Sequence, residues 1–280
     1  MAAITTSSSP GGSDRAARFR SLHAGPAPLL LANAWDAGTA KILAFLGFQA
    51  LATTSAGHAA TLGRHDGAVT RDEAIAHAAT LVAATELPVS ADLENGFADD
   101  PERTAETVRL TVAAGLAGCS VEDWDPTRGE IYELGLAREK VAAEAAQGRL
   151  VLTGRAENHI RGVSDLADTI TRLQAYQEAG ADVLYAPGLV AAEDIRQVVT
   201  SVDRPVNVLA RPGAPAVAEL GRLGVRRVSV GGAFALVAYG ALATAARELL
   251  DEGTYGFLAE AGSSHRTAPS FRQLSIRPSN

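Results

Sequence analysis

With 280 residues, 47% hydrophobic and 20% charged, the chain can bury a sizeable core as one large α/β domain or two small ones. The formal charge of −7 is spread along its whole length. That argues against nucleic acid or an anionic membrane as a partner, since both select a basic face, and leaves a small molecule as the expected ligand. One cysteine, Cys119, excludes an internal disulfide and a cysteine-rich zinc site, and the two lysines, Lys41 and Lys140, both lie in stretches of helical periodicity and so leave almost no candidate for Schiff-base chemistry.

Residues 1 to about 15 are small and polar and are expected to be disordered. Thr5 to Ser13 has no apolar signal-peptide core, and no segment reaches the ~18 uninterrupted apolar residues of a membrane helix, so a soluble, cytoplasmic protein is expected. A helix-like run near Arg15 to His23 leads to a first strand, Leu29 to Ala32, then to Asn33-Ala34-Trp35-Asp36 and a helix over Thr39 to Leu46 that Gly47 terminates. The second strand, Ala50 to Thr54, runs into Ser55-Ala56-Gly57-His58 and a long loop to Val69, too long for a mere connector. Thr70 then caps a helix with Glu73 three residues on, the spacing of a capping box.

The third strand, from Leu87, ends in Ala91-Asp92-Leu93-Glu94-Asn95-Gly96. Strand alternation places Asp92 and Glu94 on one face. Two carboxylates so close repel unless one holds a proton or a cation sits between them, and a hard oxygen donor set suits Mg²⁺ or Mn²⁺ better than zinc. Pro101 opens the following helix. Strand four, Gly118 to Val121, delivers Glu122-Asp123-Trp124-Asp125-Pro126, a glycine-containing loop and a helix from about Leu136 to Ala146. Strand five, Leu150 to Thr153, delivers Gly154-Arg155 and is followed by a helix over about Asp165 to Ala179; strands six to eight are Asp182 to Tyr185, Pro205 to Leu209 and Arg227 to Val230.

Eight strand-then-helix units of one character indicate a single (β/α)₈ TIM-type barrel over about residues 16–261, with a mobile polar tail over 262–280. Ser55, Asp92, Glu94, Glu122, Arg155 and Asn207 all fall at strand C-terminal ends, where such barrels carry their chemistry, while the opposite ends are dominated by Gly, Pro and Ala. Arg155 there either binds a substrate carboxylate or pairs with Glu122 or Glu157. Ser55-Ala56-Gly57 offers backbone N–H groups to an acid group, and Asp66 is an outer acid or an ordinary turn former. None of the six histidines forms a metal-binding pair. The last helix, Ala233 to Leu250, is apolar nearly all round in its first half and needs cover on more than one side.

These residues resemble the isocitrate lyase/phosphoenolpyruvate mutase superfamily from about Arg18 to Ala261. The likeness is carried by Asn33-Ala34-Trp35-Asp36, Thr53-Thr54-Ser55-Ala56-Gly57, Ser90-Ala91-Asp92-Leu93-Glu94-Asn95-Gly96, Val121-Glu122-Asp123 and Gly154-Arg155. It implies a Mg²⁺-dependent lyase or decarboxylase that makes or breaks a bond beside a 2-oxo acid, through an enolate held on the metal. By the same likeness Asp92 is the most direct metal ligand, and Glu94, Glu122 and Asp66 reach the metal mainly through water. Ser55, Ala56 and Gly57 match the cradle for the substrate carboxylate, and Arg155 matches the arginine that binds substrate oxygen. Trp35 and Asn207 are further expected substrate contacts. A homotetramer that exchanges its eighth helix between subunits is also implied.

Two departures accompany the likeness. Glu94 stands where the superfamily usually has Asp. The loop after strand four reads Trp124-Asp125-Pro126-Thr127-Arg128-Gly129-Glu130-Ile131-Tyr132, without the cysteine of the lyases or the lysine of the mutases and phosphonopyruvate hydrolases. Hydrolysis of a P–C or C–C bond in a 2-oxo acid, or a 2-oxo-acid binding barrel with little turnover, are therefore rival readings. For the missing proton donor the candidates are Glu130, Tyr132, His58, His159 and a metal-bound water. His58 is expected to serve, because its ordinary pKa lies near the working pH and its loop adjoins the cradle.

Overall fold

The computed structural model describes residues 12–261; most of the stretch expected to be disordered and the whole tail from 262 lie outside the described residues. Eight strands close into a parallel barrel in sequential order: β1 (Leu29–Asn33), β2 (Ala50–Ala52), β3 (Val89–Asp92), β4 (Gly118–Glu122), β7 (Val151–Arg155), β8 (Val183–Tyr185), β9 (Val206–Leu209) and β10 (Arg227–Ser229). The ring closes where Leu29 to Leu31 of β1 pair with Arg227 to Ser229 of β10. All eight expected strands are present.

The connecting helices are α2 (Ala37–Phe45), α4 (Arg71–Ala84), α5 (Pro101–Ala113), α6 (Leu134–Ala145), α7 (Leu166–Glu178), α8 (Ala192–Thr200), α9 (Val217–Arg222) and α10 (Ala233–Arg247). Local chemistry sets their ends. Thr70 and Glu73 form both halves of the capping box that starts α4, Asp100 caps α5 ahead of Pro101, and Gly47 follows α2 at φ 96°. Their apolar faces cover the strands in one continuous core that includes Leu51, Leu81, Leu116, Leu173, Tyr176 and Ile195.

Two elements depart from expectation. Ser55–Thr61 is a short helix, α3, rather than loop: the Thr54 side chain accepts from the Gly57 N–H and starts it, although Ser, Ala and Gly read locally as a loop. The segment after β4 contains a two-stranded hairpin, β5 (Trp124–Asp125) and β6 (Glu130–Ile131), where only a loop was expected.

The base of the barrel is plugged by the N-terminal helix α1 (Gly12–Leu22), which begins inside the stretch expected to be disordered. Phe19, fully buried, packs with Leu29, Leu31, Ala50, Ala117, Val151 and Val183. Gly118 permits this approach, since a Cβ there would lie 2.7 Å from the Phe19 ring. At the far end of the chain α10 and the π-helical turn Glu248–Glu252 stand nearly bare. Ala235 alone is buried on α10, while Leu236 is 71% exposed and Val237 70%. By length and composition alone, Ala233–Glu252 is apolar enough to cross a membrane.

Candidate active site

A cavity of about 190 Å³ opens at the C-terminal ends of the strands and runs down into the barrel, lined by Ser55, Ala56, Asp66, Asp92, Arg155, Tyr185, Asn207, Arg227 and Ser229 among others. Its mouth is organised around Asp92, the last residue of β3. The Asp92 backbone N–H donates to Thr53 Oγ1 at 2.8 Å, one carboxylate oxygen accepts from the Ser55 N–H at 3.2 Å, and the other meets Arg155 Nη1 at 3.0 Å. Both oxygens are thus aimed before any ligand arrives.

Arg155, at the end of β7, resolves the alternatives for its partners by taking several. Besides Asp92, its Nη2 lies 2.9 Å from Glu122 and 2.7 Å from Glu157. Arg161 joins Glu122 and Glu157 from the outer side at 3.3 and 3.4 Å. The register explains the meeting, since Glu122 of β4 pairs with Arg155 of β7. Behind them Asp123 accepts from the Glu157 N–H at 2.8 Å and from Arg172 at 3.2 Å, which fixes Glu157 in place.

Glu94 lies near Asp92 and Asp66 by another route than expected, and outside the residues that line the cavity. Strand β3 stops at Asp92, and Glu94 sits in the following turn with φ 50°, a left-handed conformation rare for a residue with a side chain. The turn is held by Lys140, whose Nζ donates to the carbonyls of Asn95 and Ala98 at 2.8 Å each. Burial first, then the charges of Asp92 and Asp66, push the Glu94 carboxyl up to about 7. Burial pushes Glu122 up to about 8 against the pull of Arg155.

Asp92, Glu94 and Asp66 therefore form a patch of mutually repelling oxygen donors, which fits a hard divalent cation. Among the described residues no three His, Cys, Asp or Glu side chains gather as a ready-made metal cluster. Glu122 is the least available of the four, because both its oxygens are engaged by arginines.

Other expected residues lie elsewhere. Glu94, Glu122, His58 and Trp35 are not among the cavity-lining residues. The His58 ring stacks on His77 of α4 at 3.8 Å, and the Trp35 carbonyl accepts from His77 Nε2. Gly57 also stands back from the cavity, its N–H turned to Thr54 Oγ1 at 3.3 Å. Tyr132 is buried away from the cavity and donates its hydroxyl to Asp99, and Glu130 is paired with Arg128 on the hairpin. The cavity residues to which sequence reasoning gave no role are Tyr185, Ser229, Arg227 and Asn33, the last quoted only as part of a motif. Tyr185 could have been found from the register, because it pairs with Arg155 on one side and Asn207 on the other. The Asn33 side chain joins first and last strands, donating to the Thr53 carbonyl and accepting from the Val230 and Gly231 N–H groups.

A barrel with an acid–arginine constellation at the C-terminal rim defines an enzyme-type (β/α)₈ scaffold. The family model for phosphoenolpyruvate phosphomutase matches residues 19–250, and the chain belongs to the isocitrate lyase/phosphoenolpyruvate mutase superfamily. A solved structure from Burkholderia cenocepacia J2315, described as a candidate lyase/mutase, is 47% identical with TM-score 0.87 and covers 91% of this chain and 95% of its own. The 2-methylisocitrate lyase of Halalkalibacterium halodurans is 31% identical over 198 residues, 68% of this chain and 65% of that protein. The oxaloacetate decarboxylase of Bradyrhizobium sp. (strain BTAi1) is 31% identical over 211 residues, 71% of each. The chain is thus similar both to a lyase and to a decarboxylase.

Proposed function

We propose that the chain is a lyase or decarboxylase, dependent on Mg²⁺ or Mn²⁺, that cleaves a carbon–carbon bond in a small 2-oxo- or 2-hydroxy-dicarboxylate. The observation that carries this reading is Asp92, with both oxygens pre-aimed, beside Asp66 and Arg155 in one cavity. Asp92 would hold the cation directly, with Glu94, Asp66 and Glu122 as outer acids. A bound cation would act there as a Lewis acid toward the oxygen atoms of the 2-oxo acid. Ser55 and Ala56 line the mouth where an acid group enters, and Arg155 places a fixed positive charge against the reacting oxygens. The cavity volume suits a small acid.

With a 2-oxo-dicarboxylate the carbon–carbon bond would break with release of CO₂, its electron pair staying on the carbon next to the oxo group. With a 2-hydroxy-dicarboxylate the hydroxyl would give up its proton as its carbon becomes the oxo carbon of one product, the pair staying on the carbon beside the carboxylate of the other. In both cases the carbon that keeps the pair then takes up a proton. His58 is set aside as the donor, because it is packed against His77 outside the lining. Tyr185 takes its place in this reading: it lines the cavity, and burial holds its hydroxyl up to about 12, so it carries its proton at neutral pH. Product analysis with Mg²⁺ across oxaloacetate, phosphonopyruvate, 2-methylisocitrate and related malates tests the assignment. Carbon–carbon cleavage of one of them is expected. Release of phosphate or acetate would favour hydrolysis, and tight binding without turnover would favour a binding barrel.

The assembly belongs to the same reading. The bare apolar surface of α10 is proposed to be covered by another copy in a cytoplasmic homotetramer, with this helix exchanged between subunits. Light scattering at micromolar concentration is expected to give four times the chain mass, and a monomer mass would refute it.

A further inference from the structure

Below the acid-rich mouth, the cavity ends on a cation without a counter-charge. Arg227 enters β10 with its side chain inside the barrel, 3% exposed, and lines the cavity floor. Its Nε donates to Asn207 Oδ1 at 3.0 Å, its Nη2 to Thr153 Oγ1 at 3.1 Å, and its Nη1 meets His23 Nε2 at 3.4 Å. All three partners are neutral. His23 donates from Nδ1 to the Phe19 carbonyl, which leaves Nε2 as an acceptor, and burial followed by the charge of Arg227 holds the ring down to about 3. Asn207 donates its amide to Ser229 Oγ at 2.9 Å, which turns its oxygen to Arg227.

Among the described residues no carboxylate pairs with Arg227. Two of the five N–H bonds of a guanidinium also remain without a protein acceptor there. A charge buried this deeply is costly unless it is paired. The surrounding acceptors orient the guanidinium without neutralising it, and Arg227 lines the same cavity as Asp92 and Arg155.

We propose that Arg227 is the binding group for a second, distal carboxylate of the substrate, so that the bound acid lies along the barrel axis with one acid group at the mouth and the other on the floor. This rests on the 2-oxo- or 2-hydroxy-acid reading of the mouth and names the specificity residue that reading lacks. It restricts the substrate to diacids whose ends are separated enough to span the cavity. A monoacid of the same length leaves the floor cation unpaired.

Malate and 2-hydroxybutyrate form a matched test pair: both are four-carbon 2-hydroxy acids, and only malate carries the distal carboxylate. Calorimetry with Mg²⁺ on the wild-type protein is expected to show malate bound tenfold or more tighter, the scale of one charge-assisted pair. In Arg227→Gln the preference should vanish while oxalate, which needs only the mouth, binds within about threefold of wild type. Arg227→Lys should recover part of it. Equal affinity for the two acids in the wild type overturns the proposal, and this arm needs no variant to fold. A preference kept by Arg227→Gln overturns it too. So does a chloride-dependent melting temperature that this variant abolishes without any malate preference, which would make the floor a site for a resident inorganic anion. Failure of the underlying reading looks different: the wild type would then bind neither oxalate nor malate.

Discussion

Arg155 at the mouth of the barrel touches three carboxylates, whereas Arg227 on its floor touches none among the described residues. The two share one cavity, so the difference lies in their surroundings. At the mouth Asp66, Asp92, Glu94, Glu122 and Glu157 gather around Arg155 and Arg161. Acid is in excess there, and the arginines hold carboxylates in position while the region as a whole favours a cation. On the floor the polarity is reversed: neutral acceptors fix a single positive charge, and the region favours an anion. A cavity negative at one end and positive at the other orients a ligand that carries a metal ion at one end and an acid group at the other.

The sharpest way to break the mouth is Asp92→Ala, which removes the one carboxylate that meets Ser55, Arg155 and the cavity together. Activity is expected to fall by about a thousandfold or more, and metal-dependent oxalate binding with it. Calorimetry that finds unchanged metal-dependent oxalate affinity would sink the assignment. Next comes Arg155→Met, which leaves Asp92, Glu122 and Glu157 clustered without their shared cation. Breaking one side of such a buried network costs about 3–5 kcal/mol, so a lowered urea midpoint is expected, and a wild-type midpoint would show that Arg161 suffices.

Tyr185→Phe tests the proton step at smaller amplitude. Exchange of pyruvate methyl protons with D₂O should slow about 10² fold, the usual scale for one general acid, while oxalate affinity stays the same. His58→Ala should exchange at the wild-type rate, and the reverse pattern would restore the histidine as donor. The smallest effect concerns pH. Because the Glu94 carboxyl is raised to about 7 by burial, Asp92 and Asp66, a cation arriving below that pH must displace its proton. Mg²⁺ affinity should therefore climb as pH rises to about 7 and level off above it. In Glu94→Gln the climb should be lost; a slope that persists in the variant would place the proton on another group.

The barrel was legible because each buried parallel strand is a short, continuous apolar run closed by a change of residue type, as at Ala50–Thr54 and Gly118–Val121. Asp92, Ser55 and Arg155 were legible for the same reason: they stand at the strand ends that face the mouth, and all three line the cavity. Asn207, expected at the same end, is instead the second residue of β9, and its amide is turned to Arg227 and Ser229 on the floor. The floor was not. Arg227 was legible only as the first residue of a strand, and only the fold decides that Arg227 points inward while its neighbour Arg226 is exposed. His58 misled because adjacency to Ser55 in the chain became one turn of α3, which carried its ring onto α4 instead of into the cavity. Glu94 was expected on the strand face with Asp92, and it sits instead in a left-handed turn beyond the strand that alternation could not foresee.

The pairing of Leu29 with Arg227 joins segments from opposite ends of the folded chain. Contacts of such long sequence separation carry the largest loop-closure entropy and are slow to form. Until they do, β1 and β10 are both open edges, and His23, carried on the same N-terminal stretch as β1, has no guanidinium to meet. The buried guanidinium is thus placed at the seam of the barrel, and a chain truncated before Gly224 would lose it together with the strand that closes the ring.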